Sequence, residues 1–215
     1  MEKDFAILIA DLSGYTALTE AHGASMAADL IDRFLQMVEE SLVGNCYLHE
    51  RTGDEIMIVS EVPDHLLSTA VKLLNNSCKE EKFLLIHGGL HVGKLLKRND
   101  GYFGSALNFT ARIAAKAAAG TFWCSREFRE AVKNVPDLLF ENKGSFRFKN
   151  LAGEKEVFEI KAGKTEIFSI DPVCRMLLLS KANALAHPDE TGIFFCSQNC
   201  LEVYSAQKSP TISEA

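Results

Sequence analysis

Long apolar runs are missing from this sequence. No uninterrupted hydrophobic stretch approaches the ~20 residues that a membrane-spanning helix needs. The run at 5–10 has the wrong length and flanks for a signal peptide. Basic clusters are also missing, and the net charge is -6 at pH 7. We therefore expect a cytoplasmic protein without a general nucleic-acid or membrane surface, in which local positive charge or a metal ion must meet any phosphate-bearing partner.

Internal repeats and low-complexity tracts are absent too, and a hydrophobic content of 47% is enough for a sizeable core. The apolar periodicity predicts an order of β-α-β-β-α-β with additions. We expect an α+β sandwich with a ferredoxin-like core and helices on one face of a mostly antiparallel sheet. The predicted elements are strands at 5–10, 46–51, 55–60, 84–92 and 121–125, helices at 24–43, 63–76, 105–118 and 126–133, and a last hairpin through 144–148 and 156–160.

The chain divides into two predicted units. The first covers residues 1–162, and a stretch of charged and small residues at 163–170 reads as a linker. The second unit, 171–210, is too small to be stable by apolar burial alone. We therefore expect a bound metal or another cross-link within it.

The helix that begins near Gly104 carries an unusual polar pair. Its apolar face is predicted to contain Leu107, Ala111, Ala114 and Ala118, with Asn108 and Arg112 four residues apart on a neighbouring face. Ser105 is a candidate N-cap, which would place the pair near free backbone N–H groups that favour an anion. The alternative is a solvated Asn/Arg pair beside a core stripe.

Two aspartates follow predicted neighbouring strands. Asp11 ends the first strand, and Asp54 lies at the tip of the following hairpin. Two carboxylates about 5 Å apart repel by ~3 kcal/mol at an effective dielectric near 20, so a shared divalent cation would stabilise the pair. The alternative makes Asp54 a turn residue and Asp11 a strand-terminal cap.

Five segments in sequence order resemble the signatures of class III adenylate/guanylate cyclase catalytic domains. The first runs from Phe5 through Asp11 to Thr16 and the second is Thr52-Gly53-Asp54. The others lie at 89–93, at 102–112 with Asn108 and Arg112, and in a closing hairpin at 148–160. The resemblance extends over residues 5 to about 160.

The resemblance implies conversion of ATP or GTP to a cyclic nucleotide and pyrophosphate. Asp11 and Asp54 would hold two Mg²⁺ or Mn²⁺ ions. Asn108 would orient the ribose, and Arg112 would neutralise charge on the α-phosphate. A homodimer with composite sites is implied, because in the family the aspartates and the Asn/Arg pair come from different subunits. The backbone N–H groups of four residues would bind the outer phosphates: Leu12, Ser13, Gly14 and Tyr15.

The sequence departs from the family where the purine is read. Glu50 replaces a lysine and Gly101 replaces an acidic residue, with Asp100 one position away. A second hypothesis is therefore a catalytically silent cyclase-like domain that binds a nucleotide or small ligand, or a metal-sensing scaffold. Lys149 either contacts a phosphate or is an ordinary surface lysine. His87 and His91 lie too far apart on a strand to share one ion and are predicted to be structural.

Six cysteines are present. Three of them, Cys46, Cys78 and Cys124, are isolated and are predicted to be buried reduced thiols. The others, Cys174, Cys196 and Cys200, have spacing that fits one Zn²⁺ or Cu⁺ ion, and the alternative is a knot of three buried thiols. This segment resembles the YHS domain, a TRASH-like metal-binding module, with Arg175 in place of the usual glycine. His187 is either a fourth ligand or a bystander.

Overall fold

A computed structural model describes residues 2–133, 138–162 and 169–208 of the chain. The strands of the main sheet are β1 (Glu2–Leu12), β2 (Tyr47–Thr52), β3 (Glu55–Ser60), β4 (Ile86–Arg98), β5 (Gly101–Phe103), β6 (Phe122–Ser125), β7 (Leu138–Arg147) and β8 (Glu154–Ala162). The helices around them are α1 (Tyr15–Ser41), α2 (Pro63–Ser77), α3 (Ser105–Ala114) and α4 (Arg126–Ala131). None of the helices in the described part of the chain is both long and apolar enough to cross a bilayer.

The sheet order confirms the predicted fold class. Strands follow one another as β2-β3-β1-β4-β6-β8-β7, and β5 pairs with β4 alone. The first four strands along the chain have the ferredoxin-like order β4-β1-β3-β2 and are antiparallel to their neighbours. Only the β4–β6 pairing among the strand pairs described is parallel. The molecule is therefore an α+β sandwich built on a mixed sheet.

Helices cover both faces of the sheet, which corrects the prediction of a single helical face. Ala6, Leu8 and other even-numbered residues of β1 pack with α1, α2 and α4 in one core. The alternate residues Phe5, Ile7 and Ile9 pack against Ala106 and Ala114 of α3 in another. Because successive strand side chains point to opposite faces, β1 is buried on both sides.

Close approach of two backbones positions α3. A Cβ at Gly89 of β4 would lie 2.5 Å from the Thr110 carbonyl oxygen and 2.5 Å from the Ala114 nitrogen. The buried face of α3 contains Ala106, Phe109, Thr110, Ile113 and Ala114. The predicted stripe is confirmed at Ala114, lies at the edge of this face at Leu107 and Ala111, which are half-buried against the same core, and is wrong at Ala118, which is exposed. The predicted Ser105 cap is also wrong, because Gly104 is the N-cap and no side chain caps this helix.

The first helix begins earlier than predicted and is interrupted. It starts at Tyr15, and Gly23 has non-helical φ and ψ of 82° and 171°. Residues with a side chain rarely adopt this backbone conformation, whereas glycine does so readily. The predicted helix at 24–43 therefore corresponds to the second part of α1, which ends at Ser41.

The C-terminal unit contains short strands and one helix. These are β9 (Ser169–Ile170), β10 (Leu177–Leu178), β11 (Leu185–Ala186), β12 (Phe194–Phe195) and α5 (Gln198–Lys208). Residues 163–168 of the predicted linker and 209–210 of the predicted second domain lie outside the described residues. The unit contacts the segment before β4, where Leu177 N–H donates to the Phe83 carbonyl (2.7 Å) and Leu84 forms a β-bridge with Met176.

Candidate functional site

Asp11 and Asp54 converge at one end of the sheet. Asp11 lies next to the end of β1, and Asp54 lies in the turn between β2 and β3. The two carboxyl groups are within hydrogen-bonding reach because β1 and β3 are neighbours, with Ala10 opposite Ile56. Asp11 Oδ1 is buried and has no hydrogen-bond partner among the described residues. Buried polar atoms are nearly always satisfied, so this oxygen indicates a site for a ligand.

The electrostatics of the pair fit a cation. Burial, the hydrogen bond with Asp11 and the Asp11 charge together raise the pKa of Asp54 to about 7. Burial and the charges of Asp11 and Glu50 also raise the pKa of Glu55. Negative charge is therefore in excess here, and carboxylate oxygens are the ligands that Mg²⁺ and Mn²⁺ prefer.

The turn at 12–15 connects β1 to α1 beside this pair. Gly14 is the N-cap of α1, with φ of 96°. The Ser13 N–H donates to the Leu85 carbonyl at 2.8 Å. It is therefore not available to a phosphate, and the prediction that it binds one is wrong. The Ser13 hydroxyl also lies 2.9 Å from His87 Nδ1. The first N–H groups of α1, from Tyr15 onward, have no acceptor within the helix and face this end of the sheet.

Asn108 and Arg112 do not meet the aspartates within one chain. Asn108 is exposed and Arg112 half-buried on the side of α3 that faces away from the sheet. No hydrogen bond or ion pair joins either of them to Asp11 or Asp54 within residues 2–133. Lys149 is exposed and follows Phe148, whose ring lies 5.3 Å from that of Phe109 on α3. The structure thus brings Lys149 to the α3 side of the molecule.

The two positions expected to read the base lie on elements that touch. The Tyr102 hydroxyl of β5 lies 2.6 Å from the Tyr47 hydroxyl, and its ring packs 4.8 Å from His49 of β2. Glu50 follows His49 and is exposed, while Asp100 is exposed in the turn just before β5. Glu50 and Asp100 therefore lie on neighbouring elements, and the Glu50 charge acts on Glu55.

Solved structures share this architecture. An adenylate cyclase structure from Trypanosoma brucei matches with a TM-score of 0.70 and 17% identity, covering 82% of this chain and 93% of that one. This is the fold of class III adenylate/guanylate cyclase catalytic domains. A guanylate cyclase domain from Catenaria anguillulae, solved in complex with GTP, shares the cyclase fold with a TM-score of 0.61 and 16% identity, covering 76% and 100%.

Several curated proteins are similar in sequence to this chain. An adenylate cyclase of Glutamicibacter nicotianae is 32% identical over 167 residues, which is 77% of this chain and 41% of that protein. The chain spans between 26% and 42% of the length of the six curated relatives that it matches. No family model matches the chain.

The three grouped cysteines meet a histidine from the cyclase-like domain. The Sγ atom of Cys196 lies 3.4 Å from that of Cys174 and 3.7 Å from that of Cys200. His22 Nε2 lies 3.4 Å from the Cys196 sulfur and 3.5 Å from the Cys200 sulfur. All four ligand atoms lie within 4.8 Å of one another. The sequence carries no local signal for this fourth member, because His22 precedes Cys196 by 174 residues.

His187, the candidate fourth ligand, lies elsewhere. Its Nδ1 accepts from the backbone N–H groups of Asp189 and Glu190 at 3.2 and 3.0 Å. Its ring packs 5.7 Å from that of Tyr204. His187 therefore holds a turn of the C-terminal unit, and the four-residue group contains His22 in its place.

Asp171 organises the backbone around the cysteines. Its carboxylate is fully buried and accepts hydrogen bonds from the N–H groups of Cys196 (2.7 Å), Val173 (2.8 Å) and Cys174 (3.1 Å). Burial by itself raises the pKa of Asp171, but these three donors outweigh it and hold the pKa below its ordinary value. One side chain thus fixes the two loops that carry Cys174 and Cys196.

Proposed function

We propose that the chain is a cytoplasmic, metal-dependent nucleotidyl cyclase that converts ATP or GTP to a 3′,5′-cyclic nucleotide and pyrophosphate. The observation that carries the proposal is the convergence of Asp11 and Asp54, with one buried and unpartnered carboxylate oxygen, beside the start of α1. The cyclase fold and the relative named an adenylate cyclase support it. The GTP complex of a structural neighbour supports a nucleoside triphosphate substrate.

Asp11 and Asp54 would hold Mg²⁺ or Mn²⁺. Such ions, when bound, would lower the pKa of the ribose 3′-hydroxyl and neutralise charge on the triphosphate. The 3′-hydroxyl gives its proton to water, and its oxygen forms a bond to the α-phosphorus. The bond from this phosphorus to the oxygen bridging the α- and β-phosphates breaks, and pyrophosphate leaves with the electron pair. The N–H groups at the start of α1 bind the outer phosphates.

Asn108 and Arg112 complete the site from a second copy of the chain. Asn108 positions the ribose, and Arg112 faces the negative charge that builds on the α-phosphate. This arrangement explains why both side chains point away from the sheet of their own chain. The resulting homodimer has two composite sites. Phe103, 57% exposed, and its cross-strand partner Leu96, 36% exposed, give the β4–β5 ribbon an apolar surface for the partner.

Activity assays test the proposal. Purified protein is incubated with Mn²⁺ and either ATP or GTP, and cyclic nucleotide is measured. We expect product from the parent chain and from Asp29→Ala, which removes an exposed carboxylate of α1, and none from Asp54→Ala. Lack of product from either nucleotide with every metal would contradict the proposal.

Mixing two inactive variants tests the composite sites. Asp54→Ala and Arg112→Ala are each expected to be inactive, because each spoils both sites of its own homodimer. A random mixture contains one intact site per heterodimer, so about a quarter of the parent activity returns. A mixture as inactive as its components would refute sharing of the site between chains.

A second candidate is a nucleotide-binding domain without turnover. Glu50 favours it, since a carboxylate replaces the expected lysine and adds to the charge that raises the pKa of Glu55. Binding of ATP or GTP without any cyclic product in the same assay would support this candidate over the first.

A further inference from the structure

The four-residue group of His22, Cys174, Cys196 and Cys200 has the dimensions of a zinc site. A tetrahedral Zn²⁺ with sulfur at ~2.3 Å and nitrogen at ~2.05 Å separates two sulfurs by ~3.8 Å and a sulfur from a nitrogen by ~3.5 Å. In the structure the Cys196 sulfur lies 3.4 Å from that of Cys174 and 3.7 Å from that of Cys200, and His22 Nε2 lies 3.4 and 3.5 Å from the sulfurs of Cys196 and Cys200. Three thiolates and one imidazole are also a donor set that Zn²⁺ favours. The side chains thus surround an ion-sized position with little rearrangement.

A knot of thiols explains these contacts less well. The sulfur separations of 3.4 and 3.7 Å exceed a disulfide bond of ~2.05 Å, and the cysteines are unbridged. Apolar packing alone would not bring a histidine to two of the sulfurs. The buried Asp171 carboxylate, with three backbone donors, fixes two cysteine loops as the outer shell of a metal site does.

The group joins the two units of the chain. His22 is the residue just before the α1 interruption at Gly23, whereas the cysteines belong to the C-terminal unit. The Asn199 side-chain amide adds a second contact by donating to the Ala21 carbonyl at 3.0 Å. An ion bound here would therefore fix the C-terminal unit to the first turns of α1.

Arg175, next to Cys174, covers the turn that starts α1. A Cβ at Gly14 would lie 2.5 Å from Cγ and 2.6 Å from Cβ of Arg175, so the arginine stem lies directly on the glycine. Arg175 has a φ of 68°, which is unusual for a residue other than glycine and indicates that its surroundings hold it there. Its side chain is exposed, and the guanidinium has no hydrogen-bond or ion-pair partner among the described residues.

The charge around the turn makes this arginine significant. Asp11, Asp54, Glu50 and Glu55 surround the same end of the sheet with carboxyl groups. A triphosphate placed at the start of α1 needs positive charge, and Arg175, whose aliphatic stem lies on Gly14, carries a guanidinium that is unpaired among the described residues, within one side-chain length of this turn. Guanidinium groups also match phosphate oxygens through two parallel hydrogen bonds.

We propose that His22, Cys174, Cys196 and Cys200 bind one Zn²⁺ ion, and that this ion holds Arg175 on Gly14 as a triphosphate-binding residue. The role of Arg175 rests on the proposed nucleotide site, whereas the zinc site does not. Zinc occupancy then sets the affinity of the cyclase-like domain for its substrate.

The zinc site is tested on the full-length protein without nucleotide. Metal analysis is expected to find one zinc per chain in the parent and in Cys78→Ser, which alters a cysteine outside the group. His22→Ala is expected to lose most of the zinc, and His22→Cys to retain it. In Co²⁺-substituted protein, His22→Cys should strengthen the sulfur-to-cobalt absorption, because a fourth thiolate replaces the imidazole. Substoichiometric zinc in the parent, or unchanged zinc and cobalt spectra in both His22 variants, would overturn the site.

The role of Arg175 is tested by calorimetric titration with inorganic triphosphate and Mg²⁺, a probe that needs neither base recognition nor turnover. Arg175→Ala is expected to raise the Kd about tenfold, as loss of a charge-assisted contact does. Arg126→Ala, which removes an exposed arginine of α4, is expected to leave the Kd unchanged.

Removal of zinc tests the coupling itself. Zinc-depleted parent protein is expected to show the same rise in Kd as Arg175→Ala, and depletion of Arg175→Ala to add nothing further. Equal Kd values in the parent with and without zinc, or an Arg175→Ala value equal to that of Arg126→Ala, would refute the coupling. Failure of the cyclase assay alone leaves these binding results intact, so the two proposals are distinguished.

Discussion

Protonation of His91 is expected to destabilise the protein as the pH falls. This side chain is 7% exposed between the sheet and α3, with Nδ1 2.8 Å from the Ser125 hydroxyl and its ring 4.9 Å from that of Phe109. Burial lowers its pKa from 6.5 to about 4, opposed in part by the Glu127 charge and assisted by Lys155. The imidazole is therefore neutral in the native protein at pH 7.

The sign and size of this change in stability follow from the difference between the folded-state and unfolded-state pKa of His91. Because the folded-state pKa is below the unfolded one, the unfolded chain binds more protons between pH 6.5 and about 4. The stability that depends on neutral His91 is fully present above pH 6.5 and is lost as the pH falls from 6.5 to about 4. At about 1.4 kcal/mol per pH unit, the loss amounts to about 3 kcal/mol.

Urea unfolding at a series of pH values measures this loss. His91→Gln has no group that becomes charged, so its free energy of unfolding should fall by about 3 kcal/mol less than that of the parent. His65→Gln, at the start of α2, is the control for removal of one histidine. Carboxyl groups other than Glu127, which faces His91 at 3.9 Å, affect all three proteins alike and cancel in the comparison. Parallel curves for the parent and His91→Gln would show that the buried His91 does not contribute to the loss of stability at low pH.

Three further predictions concern packing, assembly and the cysteine loops. Gly89→Ala forces α3 away from β4 and should lower the free energy of unfolding in urea by about 1–3 kcal/mol. The loss of cyclase activity should be larger, because α3 carries Arg112. An unchanged unfolding midpoint and unchanged activity would contradict this prediction. Phe103→Ser should shift sedimentation toward the monomer, since this ring is 57% exposed on the proposed dimer surface, and an unaltered distribution would argue against that surface. Asp171→Asn should lower the stability of zinc-depleted protein by about 1.5–3 kcal/mol, because an amide presents one acceptor oxygen to three backbone donors; a change near zero would show that these hydrogen bonds contribute little.

The core strands and the aspartate pair were predictable from sequence for a physical reason. A strand buried on both faces is a continuous apolar run, as at Phe5 to Ala10, and its hairpin partners are signalled by the turn at Gly53. Neighbouring strands then determine where their ends meet. The convergence of Asp11 with Asp54 therefore follows from local pattern and sheet pairing alone.

The buried face of α3 was not predictable in the same way. Its sequence carries apolar residues on several sides, so periodicity cannot choose between the faces led by Leu107 and by Phe109. In the folded chain Gly89 lets the helix backbone approach β4 at Thr110 and Ala114, on the face led by Phe109. His22 and Arg175 are harder still, because both acquire their partners through contacts between segments more than a hundred residues apart.

The pairing of the C-terminal unit with residues 82–84 has a consequence for dissecting the chain. The Lys82 N–H donates to the Leu177 carbonyl at 3.1 Å, and the Phe83 carbonyl accepts from Leu177 N–H at 2.7 Å. A fragment cut at residue 162 would keep all the main-sheet strands but leave this short edge with bare peptide groups. Such edges recruit strands from other molecules, so the shortened protein should self-associate through residues 82–84 and misreport the assembly of the full chain.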